Sequence, residues 1–486
     1  MPTHGLPDGR IPVLLSSHDP ELIRRDAAAI LEYLDRIGES TEATGAVAAT
    51  LLRLRRVRRH RALLRAADRA ELAAGLGAIA RGEEHALITR SARTTPPRIA
   101  FVFPGQGNQW QAMGADAYRL LPAYREAADR CAQAFVSAGF PSPLPYLVSP
   151  DEQSWTRPEI QGAQFTHAVA LAEAWRCFGV LPEITIGHSL GEVAAAYVAE
   201  AISLPDAVAL VVARATVVDR LTGRYAMAVL GTGAADAESL LATTPGWVEV
   251  SAVNGPASTV VAGDHDAVAA AVRLARQREI FAHQLFVDYP GHTSALRPLR
   301  AALAELTPQS AFRDSPIRFI GSTRGAEVAA TTDYASYWYE NLCSTVRFDL
   351  AVQCARSCGA DAFVELSAHP SLLYPLSGII DDESAVIVGS GTATGPSPNR
   401  CRRVWPPSRP PIPDTGGPRP CPPPISLRCT DSRMRRCGRP TCGPHRTASP
   451  KRRRGRGSPW PSRIGGTPRP RPHRRRPTSD SPVRTR

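Results

Sequence analysis

The hydrophobic pattern changes character twice along this chain. Residues 11–95 open on a strand-like IPVLLSS and continue into Ala/Leu/Arg-rich amphipathic segments that predict helices over Pro20–Ile37 and Ala70–Ala80. The basic run LLRLRRVRRHRALLR reads as a solvated helix face, or one packed against a neighbouring domain, rather than a nucleic-acid patch. After the break Thr94-Thr95-Pro96-Pro97, IAFVF is a continuous apolar run, the mark of a parallel strand buried on both faces. It enters the turn Pro104-Gly105-Gln106-Gly107, and a second strand-to-helix junction follows in EITIGHSLGEVAAAYVAEA. Between Tyr225 and Val287 the order becomes strand, helix, two strands, helix, strand, the split pattern of a ferredoxin-like unit. IRFIGST and AFVELS then resume the earlier style. The expected fold class is α/β: a large α/β-hydrolase-like body with a parallel sheet, interrupted by a small ferredoxin-like α+β subdomain.

From about Gly391 the periodicity stops. Gly391–Arg486 holds 24 Lys+Arg against 3 Asp+Glu, while the first 390 residues hold 34 against 42. The overall charge of +13 is therefore a property of the tail, and the body is mildly acidic. The tail also carries 22 of the 45 prolines and few aliphatic residues, so it reads as disordered. Its Arg, Pro, Gly and scattered Cys are what a shifted reading frame of GC-rich DNA would yield. Nucleic-acid binding cannot be inferred from such an average. The cysteines of the body have neither disulfide nor zinc spacing and read as free buried thiols. MPTHGLPDGR lacks the regions of a signal peptide, and no apolar run approaches the length of a membrane span. The expected location is cytoplasmic.

Gly187-His188-Ser189-Leu190-Gly191 matches G-x-S-x-G, with an apolar strand before it and a helical segment after it. Small residues on both sides let the backbone turn sharply and expose the Ser189 hydroxyl at a helix start, where N–H groups stabilise negative charge. The backbone N–H groups of Gln106 and Leu190 are the candidate oxyanion donors. A serine nucleophile needs a base. His292 in VDYPGHTSALRPL and His369 in SAHPSL are the leading candidates, whereas His167 and His283 fall on helix or strand positions.

Six segments now stand in order: FVFPGQGNQWQAMG, TIGHSLGEVAAAYVAEAISLPDAVALVVARA, NGPASTVVAGD, VDYPGHT, YWYENLCSTVRF and FVELSAHPSL. Together they resemble the acyltransferase domain of modular type I polyketide synthases, related to malonyl-CoA:acyl carrier protein transacylase. The resemblance implies a division into a ketosynthase-to-acyltransferase linker (1–97), an acyltransferase domain (98–390) and the tail (391–486). Within the domain it implies a large subdomain of 98–224 and 289–390 and a small one of 225–288. With neither ketosynthase nor carrier motifs, the chain looks like a detached or truncated piece of a synthase. By resemblance Ser189 is the nucleophile, His292 the base, and Asn341 the residue whose main-chain carbonyl holds the imidazole. Arg214 pairs with the free carboxylate of a malonyl-type extender, as a planar guanidinium can through two parallel hydrogen bonds. No bound cofactor is implied. Acyl-CoA is the substrate, and the acceptor is phosphopantetheine on an acyl carrier protein, the partner expected together with other synthase domains.

In the family the tetrapeptide ending in the catalytic histidine reports on the extender, and here it is Tyr289-Pro290-Gly291-His292. Tyr289 fits the methylmalonyl class, and Gly291 leaves room for a branch where malonyl-type domains carry Phe. Leu190 points instead to malonyl. The balance favours methylmalonyl. Gln161-Gly162 and Tyr225-Ala226-Met227 depart from the family pattern, as does the sequence after Ser390. The rival readings are a serine hydrolase or thioesterase, and an inactive remnant with a nucleic-acid-binding basic tail.

Overall fold

The computed structural model describes residues 9–38, 42–151, 153–382 and 385–391, all within one compact unit. The reading of residues 391–486 as a disordered tail from a shifted reading frame falls outside them from residue 392 onward.

The described part of the chain opens with a three-stranded antiparallel sheet of β1 (Ile11–Ser17), β2 (His60–Ala66) and β3 (Ile88–Ser91), in that order. Helices Pro20–Ile37, Ala43–Leu54 and Arg69–Arg81 accompany it. Val13 pairs with Leu64 and Leu15 with Ala62, so one face of the ribbon meets Ile23, Ala27, Leu72 and Leu76 in a common core. The helix reading of LLRLRRVRRHRALLR is thereby corrected. The run is the end of helix Ala43–Leu54 followed by β2, where Ala62, Leu64 and Ala66 turn inward. Leu63 and Arg65 stand between them, and an apolar residue at one of these outward positions conceals the period of two.

The second sheet begins with β4 (Ile99–Phe103) and β5 (Ile184–Gly187), whose apolar runs are buried almost throughout. The chain next forms β6 (Tyr225–Leu230), β7 (Val248–Gly255), β8 (Ser258–Asp264) and β9 (Ala282–Leu285), with helices Ala234–Leu241 and His265–Gln277 between them. It returns through β10 (Arg318–Gly321), β11 (Ala326–Glu327), β12 (Val346–Arg347), β13 (Ala362–Glu365) and β14 (Val386–Gly389).

Six of these strands form the order β11-β10-β5-β4-β13-β14, parallel except at the β11 edge. Helices cover both faces, as a parallel sheet requires. Helix Arg157–Cys177 buries thirteen residues, and Gly162 and five alanines among them allow neighbours close. The other sheet has the order β12-β7-β8-β6-β9, antiparallel apart from the β12–β7 pair. β12 is contributed by chain far beyond β9 and pairs with β7, which ties the two sheets together. Its two residues carry no periodicity for a sequence reader to find.

Arg93 and Arg98 anchor the N-terminal segment to this body. Arg93 pairs with Asp361 at 2.9 Å and Arg98 with Glu183 at 2.8 Å, while the Arg98 N–H donates to Asp361 at 2.6 Å. Among the described residues no helix is long and apolar enough to cross a membrane. The described cysteines are free, but only Cys131 is buried and Cys177 is exposed, so the expectation of buried thiols holds for one of them. Burial pushes the Cys131 thiol up to about 12.

Candidate active site

β5 ends at Gly187, and helix Gly191–Val198 begins four residues later. Ser189 takes the turn between them with φ of 55°, a left-handed conformation that a non-glycine residue holds at a cost of about 1–3 kcal/mol. The two flanking glycines permit it. A Cβ on Gly187 would lie 2.2 Å from Glu192 Cα, and one on Gly191 would lie 2.1 Å from the Phe103 carbonyl oxygen. The hydroxyl is thus presented at the top of the central strands, beside the turn that follows β4.

Ser189 Oγ donates to His292 Nε2 across 2.6 Å, and both residues are buried. His292 also has left-handed backbone, with φ of 63°, and its N–H donates to the Leu342 carbonyl at 3.1 Å. Its Nδ1 faces the Ser344 carbonyl at 3.2 Å. A carbonyl only accepts, so Nδ1 carries the proton and Nε2 is left to receive one from Ser189. Where the sequence pointed to the Asn341 main-chain carbonyl alone, two main-chain carbonyls act on the imidazole, that of Ser344 at 3.2 Å and, more weakly and with the same sign, that of Asn341. The imidazole sits at the C-terminal end of helix Tyr334–Cys343, where several carbonyls lack helical partners. Which of them faces Nδ1 is set by the cap geometry. Burial, with smaller effects from Arg214 and His188, pushes His292 down to about 3, so the resting imidazole is neutral.

Arg214 lies on helix Leu204–Val218 and is only 3% exposed. Its Nη1 donates to Asn341 Oδ1, and its Nη2 reaches Ser189 Oγ at 3.4 Å. Its Nε is buried with no hydrogen-bond partner, and no carboxylate among the described residues lies within ion-pair distance. Burial lowers the guanidinium below its ordinary value, with Tyr289 and Glu192 opposing. Glu192, the next buried charge, accepts from Ser322 Oγ and the Thr323 N–H at 2.8 Å each, Thr323 Oγ1 at 2.9 Å, and the Tyr337 hydroxyl.

The backbone N–H groups of Gln106 and Leu190 donate to no acceptor among the described residues. The Gln106 side chain is fixed, since its Oε1 accepts from the Tyr289 hydroxyl at 2.5 Å and Gln161 Nε2 at 3.1 Å. Arg157 lies over the Tyr289 ring at 5.2 Å and is paired with Asp219 at 2.7 Å and Asp288 at 3.0 Å. A Cβ on Gly291 would meet the Tyr289 ring at 3.1 Å, so a side chain there would press the ring out of place. Sequence reasoning missed Arg157 and the side-chain role of Gln161, whose partners lie far away in the chain. It also missed the pairing of His188 Nε2 with Asn254 Oδ1 at 2.9 Å, which joins the elbow to β7.

A cavity of about 240 Å³ opens over Ser189 and His292. Gln106, Ser189, Tyr289, Gly291 and His292 line one side, and Met227, Val229, Ala252, Val260 and Leu285 the other. The remaining histidine candidates lie elsewhere. His369 is exposed and lends only its carbonyl to Asn108 Nδ2 at 2.9 Å, and His283 is exposed on β9. His167 pairs with the Tyr124 hydroxyl at 2.5 Å inside the helical core, where burial pushes it down to about 4.

The acyl transferase domain family matches residues 100–392. The chain is 36% identical over 325 residues to the spectinabilin polyketide synthase system protein NorC of Streptomyces orinoci, covering 66% of this chain and 14% of that one. It therefore spans about one-seventh of that curated relative. The acyltransferase domain from module 8 of the salinomycin polyketide synthase superposes with a TM-score of 0.72 at 32% identity, covering 79% of this chain and 92% of that one. The acyl transferase domain of SpnD, in complex with 2-(pent-4-yn-1-yl)malonyl, superposes with a TM-score of 0.70 at 25% identity, covering 80% and 92%.

Proposed function

The chain belongs to the acyl transferase domain family, and from that premise we propose that it moves a carboxylated extender unit from CoA to an acyl carrier protein. The observation that carries this reading is a serine–histidine pair at 2.6 Å with a buried, carboxylate-free Arg214 at 3.4 Å from the same hydroxyl. His292 Nε2 takes the Ser189 proton as Oγ attacks the thioester carbonyl. The oxyanion lies against the Gln106 and Leu190 N–H groups, each such donor being worth about 3 kcal/mol. The C–S bond breaks, and the imidazolium returns its proton to the departing CoA thiolate. In the second half His292 deprotonates the phosphopantetheine thiol, the thiolate attacks the acyl ester, and the proton ends on Ser189. Arg214 binds the extender's free carboxylate throughout. The substituted malonyl on the SpnD domain is of the same chemical class.

The preferred extender is methylmalonyl. Gly291 removes bulk from the cavity wall and Tyr289 is tied back to Gln106, which supports space for an α-branch. We read the six-stranded body as α/β-hydrolase-like and the 225–288 insertion as ferredoxin-like, supported by its antiparallel order β7-β8-β6-β9. Residues 1–97 serve as the linker from a ketosynthase and 98–390 as the transferase. A serine hydrolase is less well supported, because Nδ1 of His292 meets a carbonyl rather than an acid.

The test is intact-mass analysis after mixing with methylmalonyl-CoA, malonyl-CoA and propionyl-CoA. Acyl adducts should form on the wild-type chain, most with methylmalonyl, and none on Ser189→Ala. Absence of a Ser189-dependent adduct on folded protein would refute the transferase reading.

A further inference from the structure

Arg214 and Glu192 are both buried, yet they do not touch. Two neutral residues stand between them. Arg214 Nη1 donates to Asn341 Oδ1. Asn341 Nδ2 donates to Thr323 Oγ1 at 3.1 Å and to the Ser189 carbonyl at 3.3 Å, and Thr323 Oγ1 donates to Glu192 Oε1 at 2.9 Å. The amide can face only one way. The Ser189 carbonyl requires a donor and a guanidinium requires an acceptor, so Nδ2 and Oδ1 are each fixed by a group that cannot change role. Asn341 is 1% exposed, and among the described residues no other hydrogen-bonds both Arg214 and the backbone of Ser189.

A buried guanidinium is ordinarily met by a carboxylate, which neutralises it. Asn341 has the shape of that carboxylate without its charge. It aims Arg214 and leaves the positive charge available on the side of the Ser189 hydroxyl, where the Nη2 contact lies. We propose that Asn341 is a specificity-determining positioning residue: its neutral amide orients Arg214 and keeps the guanidinium free of a contacting carboxylate, so that selection of carboxylated acyl groups depends on Asn341 as much as on Arg214. This rests on the assignment of Arg214 to the extender carboxylate.

The experiment compares kcat/KM for Ser189 acylation by methylmalonyl-CoA and by propionyl-CoA, which differ in the free carboxylate. Asn341→Asp is nearly isosteric and places a competing carboxylate against Arg214. The methylmalonyl-to-propionyl ratio should fall about tenfold or more, through KM, since a carboxylate held against Arg214 in a buried site competes directly with that of the substrate. Asn341→Ser, which removes the acceptor without adding charge, should lower the ratio by about threefold and serves if the aspartate variant does not fold. Thermal melts establish folding in each case. An unchanged ratio in either folded variant would overturn the proposal. Arg214→Ala separates the two levels. If it collapses the ratio while folded Asn341→Asp keeps it, the role of Asn341 alone is lost. If Arg214→Ala leaves the ratio unchanged, the carboxylate assignment fails and the proposal falls with it.

Discussion

Ser189 and His292 meet from two left-handed backbone positions, and their side chains are buried within 2.6 Å of each other. Burial has a direct kinetic consequence. An imidazole at its ordinary value near 6.5 would lose about thirtyfold of its neutral form between pH 8 and pH 5. His292, pushed down to about 3, stays neutral over that whole range. The kcat/KM for Ser189 acylation should therefore be flat from about pH 8 to about pH 5, with no inflection near 6.5. Stopped-flow or quenched-flow loading at a series of pH values measures this. A half-titration between about pH 6 and 7 would mean that the free enzyme's base is hydrated and the dyad less enclosed.

Glu365 ends β13, and its carboxylate holds the turn that follows. It accepts from the N–H groups of Ser371 at 2.7 Å and Leu372 at 2.9 Å and from Ser367 Oγ at 3.1 Å. Ser371 and Leu372 line the cavity, so the strand end shapes a wall of the site. Glu365→Gln keeps the volume but exchanges one acceptor for a donor, leaving a buried N–H without a partner at a cost of about 1–3 kcal/mol. The expected outcome is a lower Tm with a raised KM for acyl-CoA and little change in kcat. A lowered Tm with an unchanged KM would show that the turn does not set the wall. Elements of this kind mark the boundary of what the sequence discloses. The runs IAFVF, ITIG and AFVE, the GHSLG turn and the order of strands and helices over 225–285 were legible, because burial on both faces and tight turns leave local patterns. The arginine-interleaved β2, the two-residue β12, the Ser344 carbonyl and the Arg157–Tyr289–Gln106 chain were not. Each is fixed by a partner dozens of residues away or more, and none needs a local periodicity.

Across the whole molecule, buried groups of opposite character set the pH dependence of stability. His167 is neutral in the fold, where burial holds it at about 4, but takes a proton near 6.5 once unfolded. Between those values the unfolded chain binds more protons, so the His167 contribution is present above 6.5 and is lost as pH falls toward 4. Glu365 works the other way. Burial raises it to about 7 from an ordinary value near 4.5, so the folded state binds the extra proton and its contribution is lost as pH rises through 7. His167→Gln, which still offers an acceptor to the Tyr124 hydroxyl, should flatten the rise of stability with pH between 4 and 6.5. The change in slope should amount to about 3 kcal/mol at most over that interval. Glu365→Gln should steepen the rise between 4.5 and 7, because it removes the term that favoured low pH. Denaturant melts of the three proteins at a series of pH values compare the slopes rather than the absolute stabilities, so the general destabilisation expected of both variants cancels. Slopes that move in the same direction would mean that one of these two groups is in the other protonation state in the folded protein.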